Sequence, residues 1–394
     1  MANVSSSNGL EKRPKLRFPG FDDPWKVFKA EELFQNITDR NHPDETVLTI
    51  IQGKGTLPRE QAGRNIHYDD ASLSNYKKVE QGDFIIHLRS FEGGLEMANE
   101  AGIVSPAYTI LRCKRPHSSL FYDAYFHTDE FINHNLSKSV EGIRDGRQIS
   151  YEAFKWLGIP YCEPTEQEKI STLFSAFNER IAKQRDLVES LKKYKRGVNN
   201  QILSQIDNSY NCRLGSVCEI VGGGTPDTLH AEYWGNTVEW FTPSEIGKTK
   251  YVNNSVRKLS DIGLDNSSAK LLPIGTVLLT TRATLGEMSI AKRECSTNQG
   301  FQSLIPHTDR VSSEYLYYMQ IIIKPWCEKY ASGNTFREIS KSALSDCIIP
   351  IPDRARQEQI VKLLSSIDMI IDAAENISMS LSKIRHGLMQ QLFI

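Results

Sequence analysis

The sequence lacks the features that would mark a secreted, membrane or metal-binding protein. Its seven cysteines are scattered, with no Cys-x-x-Cys pair and no spacing typical of paired ligands. This argues for a reducing compartment and against a disulfide framework or a zinc site. The N-terminal run MANVSSSNGLEKRPK is polar, and no apolar run is long enough to span a bilayer. We therefore expect a soluble cytoplasmic protein with no metal ion and no membrane association.

An excess of positive charge is also missing. The chain has 47 Lys and Arg residues against 48 Asp and Glu residues, for a formal net charge of -1. A free-standing DNA-binding protein usually carries an obvious basic excess. Any nucleic-acid binding would therefore have to use local patches or depend on partner subunits. The length of 394 residues suits two to four modest domains.

Catalytic motifs are absent as well. The stretches VGGGTPDT and EIGKT suggest phosphate binding, but Thr242 occupies the position where a P-loop needs glycine. We find no Pro-Pro-Tyr or Pro-Pro-Phe, no strand-linked G-x-G-x-x-G, no helicase motif and no H-E-x-x-H. The nine histidines are dispersed, and none has a partner at the spacing of a triad or a metal site. The sequence predicts a non-catalytic chain.

The feature that stands out is an internal repeat. Gln167-Glu168-x-Ile170 reappears as Gln357-Glu358-x-Ile360, 190 residues later. At the same offset and without gaps, further residues of the segment Arg147–Gln201 match residues of the segment Arg337–Gln391. A fixed offset over some sixty residues indicates an internal repeat. The chain is therefore predicted to contain two copies of one structural unit.

In each copy, mostly apolar residues recur at every seventh position in two series, and the second series is offset from the first by four residues. This is the pattern of a helix that packs lengthwise on another helix. The predicted helix-seam residues are Ile170, Phe174, Phe177, Ile181, Val188, Leu191, Val198 and Ile202 in the first copy, and Ile360, Leu364, Ile367, Ile371, Leu381, Leu388 and Leu392 in the second. Two helices of about 40 residues, or roughly 60 Å each, would pair antiparallel. The alternative is that each helix packs only on its own globular block.

Local signals place the ends of these helices. Pro164 and the capping box Thr165-x-x-Glu168 mark the first start, and the second follows Pro350-Ile351-Pro352. Lys195 and Arg385 occupy the same repeat position inside the seam, where a long basic side chain can reach solvent past its apolar neighbours.

The blocks before each helix contain short β-rich runs such as GDFIIHLRS and GTVLLTTRA, divided by Gly, Pro, Asn and Asp, together with a few helical segments. The predicted fold class is α+β, with two mixed α/β blocks and a pseudo-two-fold repeat. The predicted domains are blocks at 17–163 and 207–350 and helices at 164–206 and 351–394.

Several stretches in one order carry a family resemblance. They include GGGTPDTLHAEYWGNTVEWFTPSEI, TTRATLGEMSIAKRECSTNQGFQSLIP and ASGNTFREISKSALSDCIIPIPDRARQEQI, with first-half partners HLRSFEGGLEMANEAGIVSPAY and DGRQISYEAFKWLGIPYCEPTEQEKI. Over nearly its whole length the chain resembles the specificity subunit of type I restriction–modification enzymes.

The resemblance implies two target-recognition domains separated by two long conserved helices that form an antiparallel coiled coil. Each domain would read one half of a split, asymmetric site in double-stranded DNA. The helix pair would set the gap and dock two methyltransferase subunits. S-adenosylmethionine would be bound by those subunits, and ATP and Mg by separate motor-nuclease subunits, with no cofactor on this chain.

Candidate DNA-binding residues fall into two groups. Arg89 and Arg282 follow matching β runs beside Gly-containing loops, and Arg147, Asn334, Thr335 and Arg337 lie in turns next to the repeated helix; structural ion pairs are the alternative for the first two. Polar loops that differ between the halves supply the base-reading candidates, which are Lys54, Arg59, Arg64, Asn65, Lys248, Lys250, Asn253, Asn254 and Arg257. Two other functions stay open: a stand-alone methyltransferase or nuclease with an unrecognised site, and a coiled-coil scaffold that ignores DNA.

Overall fold

The computed structural model describes residues 11–62, 70–87, 95–141, 148–282, 284–333 and 337–394. The chain divides into two compact units. The first comprises Met1–Arg185 with Asn376–Ile394, and the second comprises Asp186–Glu375. Each unit therefore contains part of each of two long helices as well as one mixed α/β block. The predicted α/β character is confirmed, and the predicted domain boundaries remain predictions.

In the first unit, short strands form several small sheets. The strands are β1 Glu11–Lys12, β2 Trp25–Lys29, β3 Phe34–Ile37, β4 Leu48–Ile51, β5 Gly55–Pro58, β6 Lys77–Val79, β7 Phe84–Ile86, β8 Glu96–Met97, β9 Gly102–Val104, β10 Thr109–Cys113, β11 Val140–Glu141, β12 Gln148–Ile149 and β13 Gly158–Tyr161. Within the described ranges they assemble in the orders β1-β2-β13, β3-β10-β7-β8, β4-β5, β6-β9 and β11-β12, and the paired strands are antiparallel.

Helices of the first unit cover one face of the β3-β10-β7-β8 sheet with aromatic side chains. Phe34 and Phe84 from the sheet contact Tyr122 and Phe126 edge-to-face or tilted, and all four are fully buried. Such large rings supply much of the free energy of burial in a small core. The helices are α1 Ala30–Leu33, α2 Ser119–Phe126 and α3 Tyr151–Phe154, with a π-helical turn at Glu130–Asn135 and 3-10 turns at Arg59–Ala62, Asp70–Asn75 and Leu136–Ser139.

The two main sheets of the second unit have more strands than those of the first. Its strands are β14 Asn211–Arg213, β15 Cys218–Gly222, β16 Trp234–Gly235, β17 Val238–Phe241, β18 Tyr251–Val252, β19 Arg257–Leu259, β20 Val277–Leu279, β21 Met288–Ala291, β22 Cys295–Thr297, β23 Gln302–Pro306 and β24 Ile348–Pro350. Among the described residues they form β15-β23-β20-β21-β18, β16-β19-β17-β22 and the pair β14-β24. The pairs β17-β22 and β18-β21 are parallel.

Its helices pack on the five-stranded sheet. Val277, Leu279 and Leu304 from that sheet share a core with Tyr315 and Ile323, and all are buried. The helices are α5 Asp261–Asp265, α6 Ser313–Tyr318, α7 Gln320–Tyr330 and α8 Lys341–Ser345, with 3-10 turns at Asn208–Tyr210, Leu214–Ser216, Ala231–Tyr233 and Pro243–Glu245. Ser260, Ser312 and Ser340 cap α5, α6 and α8 by accepting an N–H in the first turn.

Two long helices complete the chain, α4 Pro164–Ser204 and α9 Arg354–Phe393. Helix α4 starts with proline at its first position, where the missing N–H costs nothing. It begins one residue before Thr165, so Thr165 lies in the first turn and the predicted capping box is wrong. Asp353 caps α9, since its carboxylate accepts a hydrogen bond from the N–H of Arg356 at 2.8 Å.

Within the first unit, the start of α4 contacts the end of α9. Ile170 and Phe174 share a buried cluster with Met389 and Leu392, and the ring of Phe174 stacks on that of Phe393 at 6.2 Å between centroids. The guanidinium of Arg385 lies 6.0 Å from the Phe174 ring.

Within the second unit, the end of α4 contacts the start of α9. Ile202 is buried in one cluster with Ile360 and Leu364, and the ammonium of Lys192 is 2.9 Å from the carboxylate of Glu375. Lys195 forms an ion pair with Asp368. In both units the predicted seam residues are buried or half-buried, and the intervening helix positions are mostly exposed.

A buried glutamine at the start of each long helix ties that helix to its own block. In the first unit, Gln167 accepts a hydrogen bond from the N–H of Ser118 (3.0 Å) and donates to the carbonyl of Cys162 (2.8 Å). In the second, Gln357 accepts from the N–H of Ser312 (3.2 Å) and donates to the carbonyl of Pro352 (2.9 Å). Both side chains are fully buried, which a polar group tolerates only when its hydrogen bonds are made.

Candidate nucleic-acid interface

In the first unit, Lys54 lies at the tip of the turn between β4 and β5. Gly53 and Gly55 flank it with φ of +71° and +76°, a region that side chains with a Cβ rarely adopt. A Cβ on Gly55 would also lie 2.5 Å from the carbonyl oxygen of Met97. The lysine side chain is exposed. The two glycines therefore make a tight turn that presents Lys54 to solvent.

The turn is anchored from below by a buried carboxylate. Glu96 on β8 is fully buried, and its two oxygens accept hydrogen bonds from the N–H groups of Gly53 (2.6 Å) and Gly55 (3.0 Å). Asn99 donates its side-chain amide to the carbonyls of Lys54 (2.7 Å) and Thr56 (2.9 Å). The backbone of the turn is thus held on both sides of its exposed lysine.

His127 balances the charge of Glu96. Its Nε2 lies 3.6 Å from a carboxylate oxygen of Glu96, and its Nδ1 donates to the carbonyl of Asp123 at 2.7 Å. Burial disfavours the charged forms of both groups, yet the pairing lowers the pKa of Glu96 and, together with Asp123, raises the pKa of His127 to about 9. A buried carboxylate and an imidazolium therefore face each other at neutral pH.

Of the other first-unit candidates, the structure describes Arg59 alone. It begins the 3-10 turn after β5, its N–H donates to the carbonyl of Val47 at 2.9 Å, and its guanidinium lies 5.9 Å from the ring centre of Tyr76. Arg64, Asn65, Arg89 and Arg147 lie outside the described residues, so their assignment remains a prediction.

In the second unit, Asn253 and Asn254 are exposed in the turn between β18 and β19. The turn is again anchored by carboxylates. Glu239 is buried, and one of its oxygens accepts hydrogen bonds from the N–H (2.6 Å) and the hydroxyl (2.8 Å) of Ser255. Glu245 accepts from the N–H of Val256 at 2.8 Å.

Lys258 balances the charge of Glu239, with 2.7 Å between its ammonium and the other carboxylate oxygen. Burial opposes ionisation of Glu239, but Lys258 and the donors of Ser255 favour the charged form, so its pKa is lowered. The two units therefore share one arrangement, although the residues that form it differ. In each, a buried glutamate accepts hydrogen bonds from the backbone of a polar turn and is paired with a basic side chain.

Arg257 is stacked on tryptophan. Its guanidinium lies 3.4 Å from the ring centre of Trp234 and 5.6 Å from that of Trp240, and the two indoles meet edge-to-face at 5.1 Å. The indole N–H of Trp240 donates to the carbonyl of Gly224 at 3.0 Å. Stacking of this kind holds the plane of the guanidinium while leaving its edge N–H groups available.

The two lysine candidates of the second unit differ. Lys248 is exposed. Lys250 donates to the hydroxyls of Tyr318 and Ser365, each at 3.0 Å, and its ammonium is 4.5 Å from the ring centre of Tyr318. Burial lowers the pKa of Lys250. Tyr318 also donates to Asp368 at 2.7 Å, so Lys250 belongs to a network that joins its loop to α9.

The remaining arginines have partners within the chain. Arg282 forms an ion pair with Glu338 at 2.8 Å, and the Arg282 side chain is 43% exposed. An ion pair within the chain was the alternative to DNA contact for this arginine. Arg337 is exposed and donates to the carbonyl of Glu328. Asn334 and Thr335 lie outside the described residues. DNA contact by these four residues remains a prediction.

Sequence reasoning missed the buried glutamates and the tryptophan pair. A signal was present, because Glu96 and Glu239 stand inside otherwise apolar strand runs, LEMA and VEWF. A carboxylate in such a run needs a partner for its charge. The sequence does not show which turn that partner occupies, since the contacts span 43 and 41 residues in the first unit and 16 in the second.

Some apolar side chains of the long helices remain exposed in each unit. Leu363, Ile370, Ile377 and Ile384 recur at seven-residue spacing and are between 47% and 55% exposed. Leu187 and Tyr194 occupy the corresponding repeat positions of α4 and are 47% and 62% exposed. We call these six residues the outer stripe. A row of exposed apolar residues on a helix is typical of a surface that binds another helix.

Two kinds of site are not found in the part of the chain that the structure describes. No cluster of three or more His, Cys, Asp or Glu side chains there could ligate a metal ion. None of the helices in those ranges combines the length and apolar character needed to cross a membrane.

Parts of this chain are similar in sequence to known proteins. A family model described as the type I restriction modification DNA specificity domain matches residues 207–382. The specificity subunit of the type I restriction enzyme MjaIX from Methanocaldococcus jannaschii is 34% identical over 186 residues, covering 46% of this chain and 43% of that protein. The EcoR124I/EcoR124II specificity subunit from Escherichia coli is 24% identical over 259 residues, covering 62% and 63%.

Solved structures extend the likeness in fold. A chain from a structural study of complex assembly and conformational transition in the type I R-M system aligns with a TM-score of 0.60 at 20% identity, covering 94% of this chain and 97% of that one. The S subunit of a type I system from M. genitalium aligns with a TM-score of 0.54 at 15% identity, covering 97% and 99%. At such identities the likeness concerns the fold.

The match to the type I restriction modification DNA specificity domain covers residues 207–382, which is less than half of the chain. These matches confirm the resemblance to type I restriction enzyme specificity subunits that the sequence motifs predicted. The matched region spans 43% of the first of these relatives and 63% of the second.

Proposed function

We propose that this chain is the DNA sequence-specificity subunit of a type I restriction–modification complex, acting in the cytoplasm without a catalytic site of its own. The observation that carries the proposal is the match of residues 207–382 to the DNA specificity domain. The first unit supports it, because Gln167 makes hydrogen bonds like those of Gln357 within that domain. A chain built twice on one plan suits a target with two parts.

In this proposal each recognition domain reads one half of a bipartite, asymmetric site. The exposed turns with Lys54 in the first unit and Lys248, Asn253 and Asn254 in the second offer donors and acceptors of the kind that discriminate base edges. The other predicted contacts stay within the proposal, either as base readers or as phosphate contacts that set register. They are Arg59, Arg64, Asn65, Arg89, Arg147, Lys250, Arg257, Arg282, Asn334, Thr335 and Arg337.

The two long helices are proposed to pair as an antiparallel coiled coil with pseudo-two-fold symmetry, between recognition domains at 17–163 and 207–350. Support comes from each unit separately: Phe174 meets Phe393 in the first, and Lys195 meets Asp368 in the second. The helices of 41 and 40 residues would be roughly 60 Å long, about 17 base pairs at 3.4 Å each. That length is the upper limit for the gap between half-sites.

The outer stripe is proposed to dock two methyltransferase subunits, and through them motor-nuclease subunits. S-adenosylmethionine would be bound by the former, and ATP and Mg by the latter. The near-neutral charge of this chain suits a subunit that depends on basic partners for part of its DNA affinity. Apolar residues that remain half-exposed at regular spacing are suited to a permanent partner helix.

The test is an exchange of recognition blocks. Residues 207–345 are replaced by the same block of a relative with a different target, and the chain is expressed with its methyltransferase partner. Methylome sequencing should show that one half of the modified site changes while the other half and the gap are retained. A modified site that is unchanged, or changed in both halves, would contradict two independent readers.

A second experiment separates the alternatives. The purified chain is incubated with DNA and labelled S-adenosylmethionine, alone and with the partner. Methyl transfer by the chain alone would indicate a stand-alone enzyme. Assembly and activity that are indifferent to DNA sequence would indicate a scaffold. The proposal requires transfer only with the partner, and only to a defined sequence.

A further inference from the structure

The two buried glutamates do not contribute to the apolar cores of their units in the way that their strand neighbours do. Each carboxylate is almost fully removed from solvent, which is costly for a charged group unless it is paired and hydrogen-bonded. Glu96 meets this need through two glycine N–H groups and His127, and Glu239 through Ser255 and Lys258. The donors that complete each site therefore come from an exposed turn.

These turns carry the polar side chains that best suit base reading. Glu96 binds the residues on either side of Lys54, and Glu239 binds the residue that follows Asn253 and Asn254. Charge-assisted hydrogen bonds to a carboxylate are among the stronger ones available to a backbone N–H. A turn fixed in this way has little conformational freedom left to lose when it meets a ligand, and its side chains start from a defined position.

We propose that Glu96 and Glu239 are positioning residues for sequence recognition, each of which fixes the base-reading turn of its own unit. This inference rests on the proposed function. It goes further in assigning one named carboxylate to the discrimination of each half-site. The glutamates touch no DNA in this scheme, and they act through Lys54 in one unit and through Asn253 and Asn254 in the other.

The test compares Glu96→Gln with Glu239→Gln in the full chain, assembled with its methyltransferase partner. A glutamine keeps the shape but offers one acceptor oxygen in place of two, and its NH2 group faces donors. Methylation of a double-stranded DNA library with randomised positions in both half-sites measures discrimination at each position. Glu96→Gln should lower discrimination about tenfold in one half-site only, and Glu239→Gln about tenfold in the other only.

Matched controls remove a carboxylate that holds no turn. Glu152 is 74% exposed and pairs with Lys155 in the first unit, and Glu294 is exposed in the second. Glu152→Gln and Glu294→Gln change the net charge by the same amount and should leave discrimination in both half-sites as in the wild type. Total methylation of non-specific DNA should be similar in all four variants, because phosphate contacts are untouched.

Milder variants address the case in which a buried glutamine prevents folding. Asn99→Ala removes two hydrogen bonds to the first turn from an exposed side chain, and Ser255→Ala removes one hydroxyl from the second turn while its N–H remains. Each should relax the same half-site as its glutamate, by about twofold to fivefold. Their circular dichroism spectra should match the wild type.

The outcomes separate this inference from the proposed function. If the wild-type assembly methylates no defined sequence, the proposed function fails. If the wild type is specific but the glutamate and turn variants keep wild-type discrimination in both half-sites, the positioning role is overturned. Equal relaxation of both half-sites by either variant would also overturn it, since that pattern indicates general loss of structure.

Discussion

Gln167 in the first unit and Gln357 in the second make nearly the same hydrogen bonds, whereas Glu96 and Glu239 hold their turns by different means. The glutamines bind serine N–H groups and carbonyls near the start of a long helix. The glutamates bind two glycines in one unit and a serine in the other, with histidine or lysine as the counter-charge. The contacts near the helices are repeated, and those near the exposed turns are not.

This difference indicates where change is tolerated. A buried glutamine with all its hydrogen bonds made leaves little freedom for substitution of its partners. An exposed turn can change its sequence as long as one N–H still reaches the carboxylate below it. If the two blocks read different targets as proposed, this division would let each turn change while the frame stays constant.

Among the polar contacts compared above, the largest expected effect is on the repeated glutamines. Gln167→Leu and Gln357→Leu would each leave buried N–H and carbonyl groups without partners, which should lower the free energy of unfolding by about 2–4 kcal/mol. Denaturant unfolding, with hydrogen exchange to locate the loss, should place it in the first unit for one variant and the second for the other. Gln201→Leu, exposed on α4, should change stability by less than about 0.5 kcal/mol. A loss under 1 kcal/mol in either glutamine variant would show that the two positions are not equivalent.

The second prediction uses pH to distinguish the two counter-charges. The pKa of His127 is raised in the folded protein to about 9 by Glu96 and Asp123 against the effect of burial, so the folded state binds this proton more tightly. Its stabilisation is therefore fully present below about pH 6.5 and is lost as the pH rises through about 9, on the order of 3 kcal/mol in all.

Unfolding followed between pH 6 and 10 should show this decline in the wild type and its loss in His127→Gln. The exposed His134→Gln provides the control and should keep the wild-type profile. An identical profile for His127→Gln and the wild type would mean that the imidazole is uncharged in the fold.

A third prediction concerns the basic residue inside each helix seam. Lys195 pairs with Asp368 in the second unit, whereas the same repeat positions of the first unit hold Arg385 and Asn178. Among the described residues, Nε of Arg385 has no hydrogen-bond partner. Asp368→Asn should cost about 1–2 kcal/mol, because it also weakens the hydrogen bond from Tyr318.

The reciprocal change, Asn178→Asp, should stabilise the first unit by about 0.5–1 kcal/mol. Thermal unfolding at low and high salt measures both changes. No response to Asn178→Asp would indicate that the repeat does not carry over to these two positions.

The smallest effect on stability is expected at the outer stripe. Ile370→Ser and Ile384→Ser change half-exposed side chains and should alter the free energy of unfolding by less than about 0.5 kcal/mol, while weakening association with the methyltransferase partner. Leu364→Ser, in the buried seam, should instead cost about 2–5 kcal/mol. Partner binding that is unaffected by both stripe variants would exclude this surface as the docking site.

Local and periodic information made the helices readable from the sequence. The seven-residue series pointed to Ile170, Ile181 and Val188 as one face of α4, and all three are buried there. Helix α4 starts at Pro164, which the sequence marked as its start, whereas Thr165 lies inside the first turn and does not cap it. Such patterns depend on neighbours three to seven residues apart, which a single sequence displays directly.

The candidate interface depends on contacts that the sequence cannot display. Lys250 and Arg282 were selected because they are basic and lie in loops, yet one is held by Tyr318 and Ser365 and the other by Glu338. These partners lie 68, 115 and 56 residues away along the chain. The fold decides which charged side chains already have a partner. Only the structure therefore distinguishes the exposed candidates Lys54, Lys248, Asn253 and Asn254 from candidates that are held within the chain.

The strand pair β14-β24 bears on how such a chain could acquire a new target. Asn211 pairs with Pro350 and Arg213 with Ile348, so the first and last strands of the second block are hydrogen-bonded neighbours. A segment whose two ends meet can be removed and replaced by recombination without stretching the flanking backbone. A foreign cassette needs only to restore that short ladder and to bring a serine N–H for Gln357. If the second block reads one half-site as proposed, exchange of this one segment would change that half of the target and leave the first block and the long helices unchanged.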